Sequence, residues 1–166
     1  MKTWLLLYMG IFSWLLANGQ TTSKAYKMLL EGMYKKTVPT ISCAELKKEL
    51  NNVILLDTRA KKEYEVSHLP KARWIGYEEF ILSSVADLPK TTPIVVYCTV
   101  GVRSERIGEK LKTAGYQNVR NLYGSIFEWV NQGNEVVDSQ NKPTTKVHAY
   151  SRAWGVWLKK GEKIYD

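Results

Sequence analysis

A cysteine and an arginine separated by four residues form the part of the sequence best suited to chemistry. Cys98 follows the short uncharged run Pro93–Tyr97, and helical periodicity begins at Ser104. The residues between Cys98 and Arg103 include Gly101, so we expect a tight loop whose backbone N–H groups point toward the cysteine sulfur. These N–H groups, a helix N-terminus and the arginine charge all favour an anion. The sequence therefore predicts a thiolate with a lowered pKa, or a sulfur anion carried on it.

The elements that position this loop alternate between strands and helices. Short apolar or β-branched runs predict strands at Val38–Ile41, Val53–Leu56, Arg73–Ile75, Pro93–Tyr97 and Asn118–Leu122. Periodicity and capping residues predict helices over 43–50, from Ala60, over Glu78–Leu82, over Ser104–Ala114 and from Ser125. This alternation predicts an α/β domain with a mostly parallel central sheet flanked by helices on both faces.

Several residues mark the expected ends of these helices. Ser42 and Glu45 have the spacing of a capping box, so a helix begins with Cys43 in its first turn. Gly115 is expected to end the helix that follows the loop, and Ser125 to N-cap the last helix of the domain. We interpret Cys43 as an ordinary thiol at a helix start, with a second or resolving thiol as the alternative.

The sequence resembles the rhodanese family of sulfurtransferases, first of all at the cysteine loop. The family's first signature, a strand ending in Asp-x-Arg followed by Gly-His-Ile-Pro-Gly-Ala, is similar to Ile54–Arg59 and Ser67–Ala72. Its second signature is similar to Gly115–Val119 with Leu122, Gly124 and Trp129. The resemblance covers roughly residues 38–133 in one order, which makes it far more specific than an isolated Cys-x4-Arg pattern.

The resemblance implies that Cys98 receives a sulfane sulfur as a persulfide. The loop implied to hold it comprises Thr99, Val100, Gly101, Val102, Arg103 and Ser104. The implied partners are a small anionic sulfur donor or a protein persulfide, and a thiol or cyanide acceptor. Family members that favour thiosulfate commonly carry a second basic residue in the loop, whereas the other side chains here are uncharged. The donor is therefore open between thiosulfate and a persulfide. No cofactor is implied, and no zinc or iron site is apparent in the sequence.

Four polar residues upstream are predicted to support the site. Asp57 ends a strand, at the sheet edge where open parallel sheets place their sites. Arg59 and Glu63 are four residues apart, so we expect them to pair on a helix and to hold the strand-to-helix corner, as the resemblance also implies. His68 follows that helix and is predicted to organise its loop by hydrogen bonding, because a thiolate already formed needs no base.

Two other classes of protein compete with a sulfurtransferase. Tyrosine phosphatases and the related arsenate reductases also close a cysteine loop with arginine and serine, but they place five residues between cysteine and arginine. Four residues form a narrower loop, which favours transfer of a single sulfur atom. A non-catalytic rhodanese-like binding module, or a sulfur carrier or sensor, is the second alternative. The presence of both Cys98 and Arg103 favours the enzyme.

The first 19 residues are predicted to be an export signal peptide. They contain one charged residue, Lys2, and an apolar stretch from Trp4 to Leu16 that is followed by small residues. This stretch spans about 20 Å as a helix, short of a bilayer core of about 30 Å, so cleavage near Gly19 is favoured over a retained anchor. The sequence predicts a periplasmic or secreted protein without stable membrane insertion. Cleavage lowers the formal net charge of +8 by one.

The mature chain is predicted to have three parts. Residues 20–37 contain a short amphipathic helix packed on the domain as a lid, and residues 38–135 form the rhodanese-like domain. Residues 136–166 form an arm rich in aromatic and basic residues. We expect the tryptophans of this arm to pack on the domain, with a partner surface as the alternative. Nucleic acid is not expected as a partner of an exported protein.

Overall fold

A five-stranded parallel sheet lies at the centre of the computed structural model, which describes residues 23–166. Its strands are β1 (Thr40–Ile41), β2 (Ile54–Asp57), β3 (Arg73–Trp74), β4 (Ile94–Tyr97) and β5 (Val119–Leu122). They pair in the order β1-β5-β4-β2-β3, and each pair is parallel. The predicted signal peptide, residues 1–19, lies outside the described residues. Between residues 23 and 166 no helix has the length and apolar character needed to span a membrane.

Six helices and two small sheets surround the central sheet in the part of the chain that the structure describes. The helices are α1 (Lys24–Met33), α2 (Cys43–Glu49), α3 (Lys61–Val66), α4 (Val102–Thr113), α5 (Ser125–Asn131) and α6 (Arg152–Gly155). Strands β6 (Val136–Val137) and β7 (Pro143–Thr144) pair antiparallel. Strands β8 (Lys146–His148) and β9 (Glu162–Ile164) pair parallel. A short 3-10 helix covers Leu82–Val85.

The central strand β4 shows why helices cover both faces of the sheet. All four of its residues are fully buried, and successive side chains point to opposite faces. Ile94 and Val96 belong to the apolar core that α4 covers, whereas Val95 and Tyr97 belong to the core that contains residues of α1, α2 and α5. The predicted α/β fold, with helices on both faces of a parallel sheet, is confirmed.

Local signals predicted some helix ends correctly. The capping box of α2 is present, since the Ser42 side chain accepts from the Glu45 N–H and the Glu45 carboxylate accepts from the Ser42 N–H. Gly115 follows the last residues of α4 with a φ of +93°, a left-handed conformation that glycine adopts without strain.

The helix predicted over Glu78–Leu82 is wrong. The chain forms its 3-10 turn later, at Leu82–Val85, where the fully buried Val85 attaches the turn to the core. Ile81, by contrast, is 63% exposed, and only Phe80 of the earlier residues packs on the core, so that segment lacks the repeated apolar contacts that stabilise a short helix.

The N-terminal helix and the C-terminal arm pack on each other and on the domain. Tyr26 and Leu30 of α1 are buried, and the ring of Trp157 stacks on Tyr26 with their centroids 5.6 Å apart. Asn131 of α5 holds the arm in place. Its amide donates to the Trp157 carbonyl at 2.9 Å, and its side-chain oxygen accepts from the Lys159 N–H at 2.6 Å.

The contacts of Asn131 give a prediction about stability. Asn131→Ala is expected to lower the free energy of unfolding by about 1–3 kcal/mol, because it leaves backbone groups of the arm without partners. Urea denaturation followed by tryptophan fluorescence measures this change. The control is Gln117→Ala at an exposed position, where we expect a change within about 0.5 kcal/mol. Equal midpoints for the two variants would contradict this role of Asn131.

Candidate active site

The cysteine loop joins the carboxyl end of β4 to the first turn of α4. Gly101 immediately precedes α4 with a φ of +111°, and its N–H donates to the Cys98 sulfur at 3.1 Å. A Cβ at this position would overlap the hydroxyl of Tyr34. Both the backbone conformation and the available space therefore require glycine here.

Opposing effects act on the Cys98 thiol, which is 1% exposed. Burial raises its pKa, but the charge of Arg103 and hydrogen bonds from Ser104 and Gly101 outweigh burial, so the pKa is lowered overall. This is the direction expected from the sequence. Cys43 is buried in the apolar core, and burial raises its pKa well above the usual range. Both cysteines are free thiols.

The carbonyl groups of the loop are bound from outside by other parts of the chain. The N–H groups of Ile126 and Phe127, at the start of α5, donate to the carbonyls of Cys98 and Thr99 at 3.2 and 3.3 Å. The Tyr34 hydroxyl donates to the Val100 carbonyl at 2.6 Å. The Asn121 amide donates to the Gly101 carbonyl at 2.9 Å. Four successive carbonyls thus point away from the sulfur, which leaves the N–H side of the loop free to face it.

Ser125 has a different role from the N-cap predicted for it, and that prediction is wrong. Gly124 occupies the N-cap position, and Ser125 is the first residue of α5 with a φ of +52°. Its hydroxyl accepts the Cys98 N–H at 3.1 Å and donates to the Leu122 carbonyl at 3.3 Å. The serine hydroxyl therefore holds the start of the cysteine loop, 27 residues away in sequence.

Glu63 and Arg103 form a bidentate ion pair beside the loop. The two Arg103–Glu63 hydrogen bonds measure 2.8 and 2.9 Å, and Arg103 also donates to the Thr99 hydroxyl at 2.7 Å. Thr99 in turn donates to Glu63 at 2.9 Å. Burial alone would raise the pKa of Glu63, but hydrogen bonding and charge from Arg103 hold it below the usual value. The carboxylate is therefore charged, and it fixes the orientation of the guanidinium.

The predicted pair between Arg59 and Glu63 is wrong, because α3 begins only at Lys61 and Arg59 lies before it. Arg59 instead turns back to Asp57, with contacts of 2.7 to 3.1 Å, and donates to the Ser67 carbonyl at 2.6 Å. The charged side chains of Asp57 and Arg59 are fully buried. The strand-to-helix corner is thus held by charges, as expected, but through different partners.

His68 lies in the loop after α3 and makes contacts that order this loop. Its Nδ1 lies 3.1 Å from the Tyr64 carbonyl, and its ring stacks on the Tyr64 ring at a centroid distance of 3.9 Å. Its backbone pairs with Val137 of β6. These contacts match the loop-organising role predicted for His68.

Above the sulfur lies a recess of about 160 Å³ that the sequence did not predict. Its walls include Met33 from α1 and Tyr150 and Trp154 from the C-terminal arm. The Tyr150 ring lies over the Arg103 guanidinium, 5.2 Å from centroid to carbon. The sequence predicted that the tryptophans of the arm pack on the domain, but the position of Trp154 and Tyr150 over Cys98 follows only from the tertiary fold.

The family comparison agrees with this fold and loop. The family profile described as rhodanese-like domain matches residues 42–132, more than half of the chain. The fold and the cysteine loop define a rhodanese-like α/β protein. The chain belongs to the rhodanese-like domain family, in which sulfurtransferase-type activity is represented.

Three similar proteins illustrate the relationship. The adenylyltransferase and sulfurtransferase uba4 of Ogataea parapolymorpha is 35% identical over 78 residues, 47% of this chain and 20% of that protein. A sulfurtransferase of Allochromatium vinosum is 30% identical over 89 residues, 54% of this chain and 82% of that protein. The crystal structure of a rhodanese-related protein from Thermoplasma volcanium has a TM-score of 0.55 at 25% identity. That match covers 60% of this chain and 97% of the other. The chain spans only a fifth of the first of these relatives.

The opposite pKa shifts of the two cysteines give a testable pH dependence. Because the thiolate fraction falls as the pH falls through the pKa, a lowered pKa preserves Cys98 reactivity at lower pH. An ordinary cysteine thiol has a pKa of about 8.5. We expect iodoacetamide to modify Cys98 at pH values below this pKa and to leave Cys43 unmodified. Peptide mass spectrometry across a pH series measures both sites.

Arg103→Gln tests the cause of this shift. Loss of the positive charge is expected to raise the pKa of Cys98 and move its alkylation profile to higher pH. Circular dichroism establishes that the variant is folded. An unchanged profile, or faster modification of Cys43 in the native protein, would contradict the assignment of Cys98 as the activated thiol.

Proposed function

We propose that the protein transfers a sulfane sulfur from a donor to a thiophilic acceptor through a persulfide on Cys98. One observation carries this proposal. The Cys98 sulfur lies inside a loop whose carbonyls are turned outward, so that backbone N–H groups and Arg103 stabilise negative charge at the sulfur. That environment suits both the attacking thiolate and the persulfide anion that follows.

The reaction consists of two displacements at sulfur. In the first, the Cys98 thiolate attacks the terminal sulfur of the donor, and a new S–S bond forms as the donor's bond to that sulfur breaks. The electron pair leaves with the rest of the donor, as sulfite from thiosulfate or as a thiolate from a persulfide. In the second, a thiol or cyanide acceptor attacks the outer sulfur, and the Cys98 thiolate is released. Each step transfers one sulfur atom without an external oxidant or reductant.

Arg103 supports this chemistry mainly by its electric field. Its guanidinium is held by Glu63 and Thr99, so it remains beside the loop through both steps. Its charge is among the effects that lower the pKa of Cys98. Arg103 therefore stabilises the thiolate and the persulfide from a fixed position, and the N–H groups of the loop, from Thr99 to Ser104, hold the outer sulfur.

The alternatives predict other arrangements of the loop. A phosphatase or arsenate reductase requires a loop wide enough for a tetrahedral oxyanion, whereas only four residues separate Cys98 from Arg103 here. A binding module without catalysis has no need of a lowered cysteine pKa. The lowered pKa of Cys98 supports an enzyme over a binding module, and the four-residue spacing between Cys98 and Arg103 supports sulfur transfer over phosphate or arsenate chemistry.

Replacement of the cysteine tests the proposal. Cys98→Ser is expected to abolish sulfur transfer to cyanide, because serine does not form a persulfide. Thiocyanate production from several donors, among them thiosulfate and an organic persulfide, is the measurement. Cys43→Ala is the matched control and should keep nearly full activity, since that thiol lies in the apolar core. Transfer by Cys98→Ser, or no transfer by the wild-type protein from any donor, would overturn the proposal and favour a binding module.

We also propose that the protein is exported, on the basis of the charge and apolar pattern of residues 1–19. The expected mature N-terminus is at or near Gln20. Cell fractionation followed by N-terminal sequencing measures both location and cleavage. An intact Met1 in the cytosolic fraction would contradict export.

A further inference from the structure

Three of the eight residues that line the recess above Cys98 lie outside the region that matches the family profile. Residues 42–132 supply the loop itself, with the sulfur at the bottom of the recess. Met33 of α1 and Tyr150 and Trp154 of the arm supply apolar and aromatic walls. These three residues thus bound the space beside the reacting sulfur.

The arm holds Tyr150 in a defined position. Its backbone adopts a φ of +64°, and its N–H donates to Nδ1 of His148 at 3.1 Å. The other ring nitrogen of His148 lies 3.1 Å from the Asp166 carboxylate, and Asp166 also contacts Lys62 of α3 at 2.5 Å. These contacts fix the position of Tyr150 as one wall of the recess, although half of the residue is exposed.

The charge balance of the recess disfavours a doubly charged donor. Within the described part of the chain, Arg103 is the only positively charged residue that lines the recess. Its guanidinium binds both oxygens of Glu63, and the Tyr150 ring lies over its face. The pair is neutral overall, so a dianion such as thiosulfate would lose hydration here without gaining an unpaired cation.

The size and lining of the recess suit an apolar group instead. A volume of about 160 Å³ is close to that of engineered apolar cavities of about 150 Å³ that hold a benzene molecule. Aromatic walls gain further stabilisation from contact with an aromatic ring. An organic donor with a single negative charge therefore matches both the size and the charge of this space.

We propose that Tyr150 and Trp154 are specificity-determining residues that select sulfur donors whose sulfane sulfur is attached to an apolar group of about one aromatic ring. This inference rests on the proposed sulfur transfer by Cys98. With an aryl thiosulfonate, the Cys98 thiolate attacks the terminal sulfur and forms the persulfide. The bond between that sulfur and the sulfonyl group breaks, and its electron pair leaves with the aryl sulfinate. The reaction balances without any further reagent.

The test compares three donors: benzenethiosulfonate, methanethiosulfonate and thiosulfate. The first two share the reacting group and its charge and differ only in the apolar group. Trp154→Ala is expected to lower kcat/KM for benzenethiosulfonate about tenfold. The substitution removes one of the two aromatic walls, and with it roughly half of the apolar area that the bound phenyl ring buries. The values for methanethiosulfonate and thiosulfate, which lack the ring, should change much less. For each donor, kcat/KM of the variant is divided by kcat/KM of the wild-type protein, which removes the difference in intrinsic reactivity between the donors.

Two further variants complete the design. Tyr150→Asn removes the second aromatic wall and retains a residue that tolerates the left-handed backbone, so it replaces Trp154→Ala if that variant does not fold. Its selectivity should shift in the same direction. Val156→Ala is the matched control, because Val156 lies on the same arm, is 52% exposed and does not line the recess. It should leave all three values unchanged.

The outcomes separate this inference from the proposed function. A fall in the ratio of kcat/KM for benzenethiosulfonate to kcat/KM for methanethiosulfonate in Trp154→Ala or Tyr150→Asn supports it. If the wild-type protein uses all three donors and both variants keep the same ratios, the inference is wrong and the sulfur transfer stands. If the wild-type protein forms no persulfide from any donor, the proposed function itself fails.

Discussion

The rest of the site depends on the hydrogen bonds that hold the carbonyl groups of the cysteine loop away from the sulfur. Amide groups of a tight loop can face an anion only if the carbonyls of the same peptides find partners elsewhere. Here α5, Tyr34 and Asn121 supply those partners for four successive peptides. They come from both sides of the loop in sequence, so the loop takes its shape only once the whole sheet and its helices have assembled.

Buried charges complete the site by fixing the element that faces the loop. Arg59 joins the end of β2 to the segment after α3, through Asp57 and the Ser67 carbonyl. This arrangement sets the start of α3, where Glu63 also accepts the Ala60 N–H at 3.0 Å. Glu63 then holds Arg103 beside Cys98. Charges buried to this degree carry a large desolvation cost, so they are stable only because each is paired. The two ion pairs thereby link the corner of the sheet to the reactive thiol.

The sequence predicted those features of the fold and site that depend on neighbouring residues. The strand-loop-helix pattern around Cys98 and the Ser42 capping box are local signals, and both are present. The partners of the loop carbonyls were not predictable in this way, because Tyr34 lies 66 residues from Val100. Ser125 was misassigned as an N-cap, since its left-handed backbone and its bond to Cys98 depend on tertiary packing. The predicted Arg59–Glu63 pair failed because α3 begins at Lys61, so Arg59 lies outside the helix and the i, i+4 geometry is absent.

The central claim is that Cys98 carries the transferred sulfur. Its most direct test is mass spectrometry of the intact wild-type protein after incubation with a sulfur donor, followed by peptide mapping without reductant. The account predicts a gain of one sulfur atom, located on the peptide that contains Cys98 and removed by cyanide. Sulfur located on the Cys43 peptide, or no added mass with any donor, would contradict it.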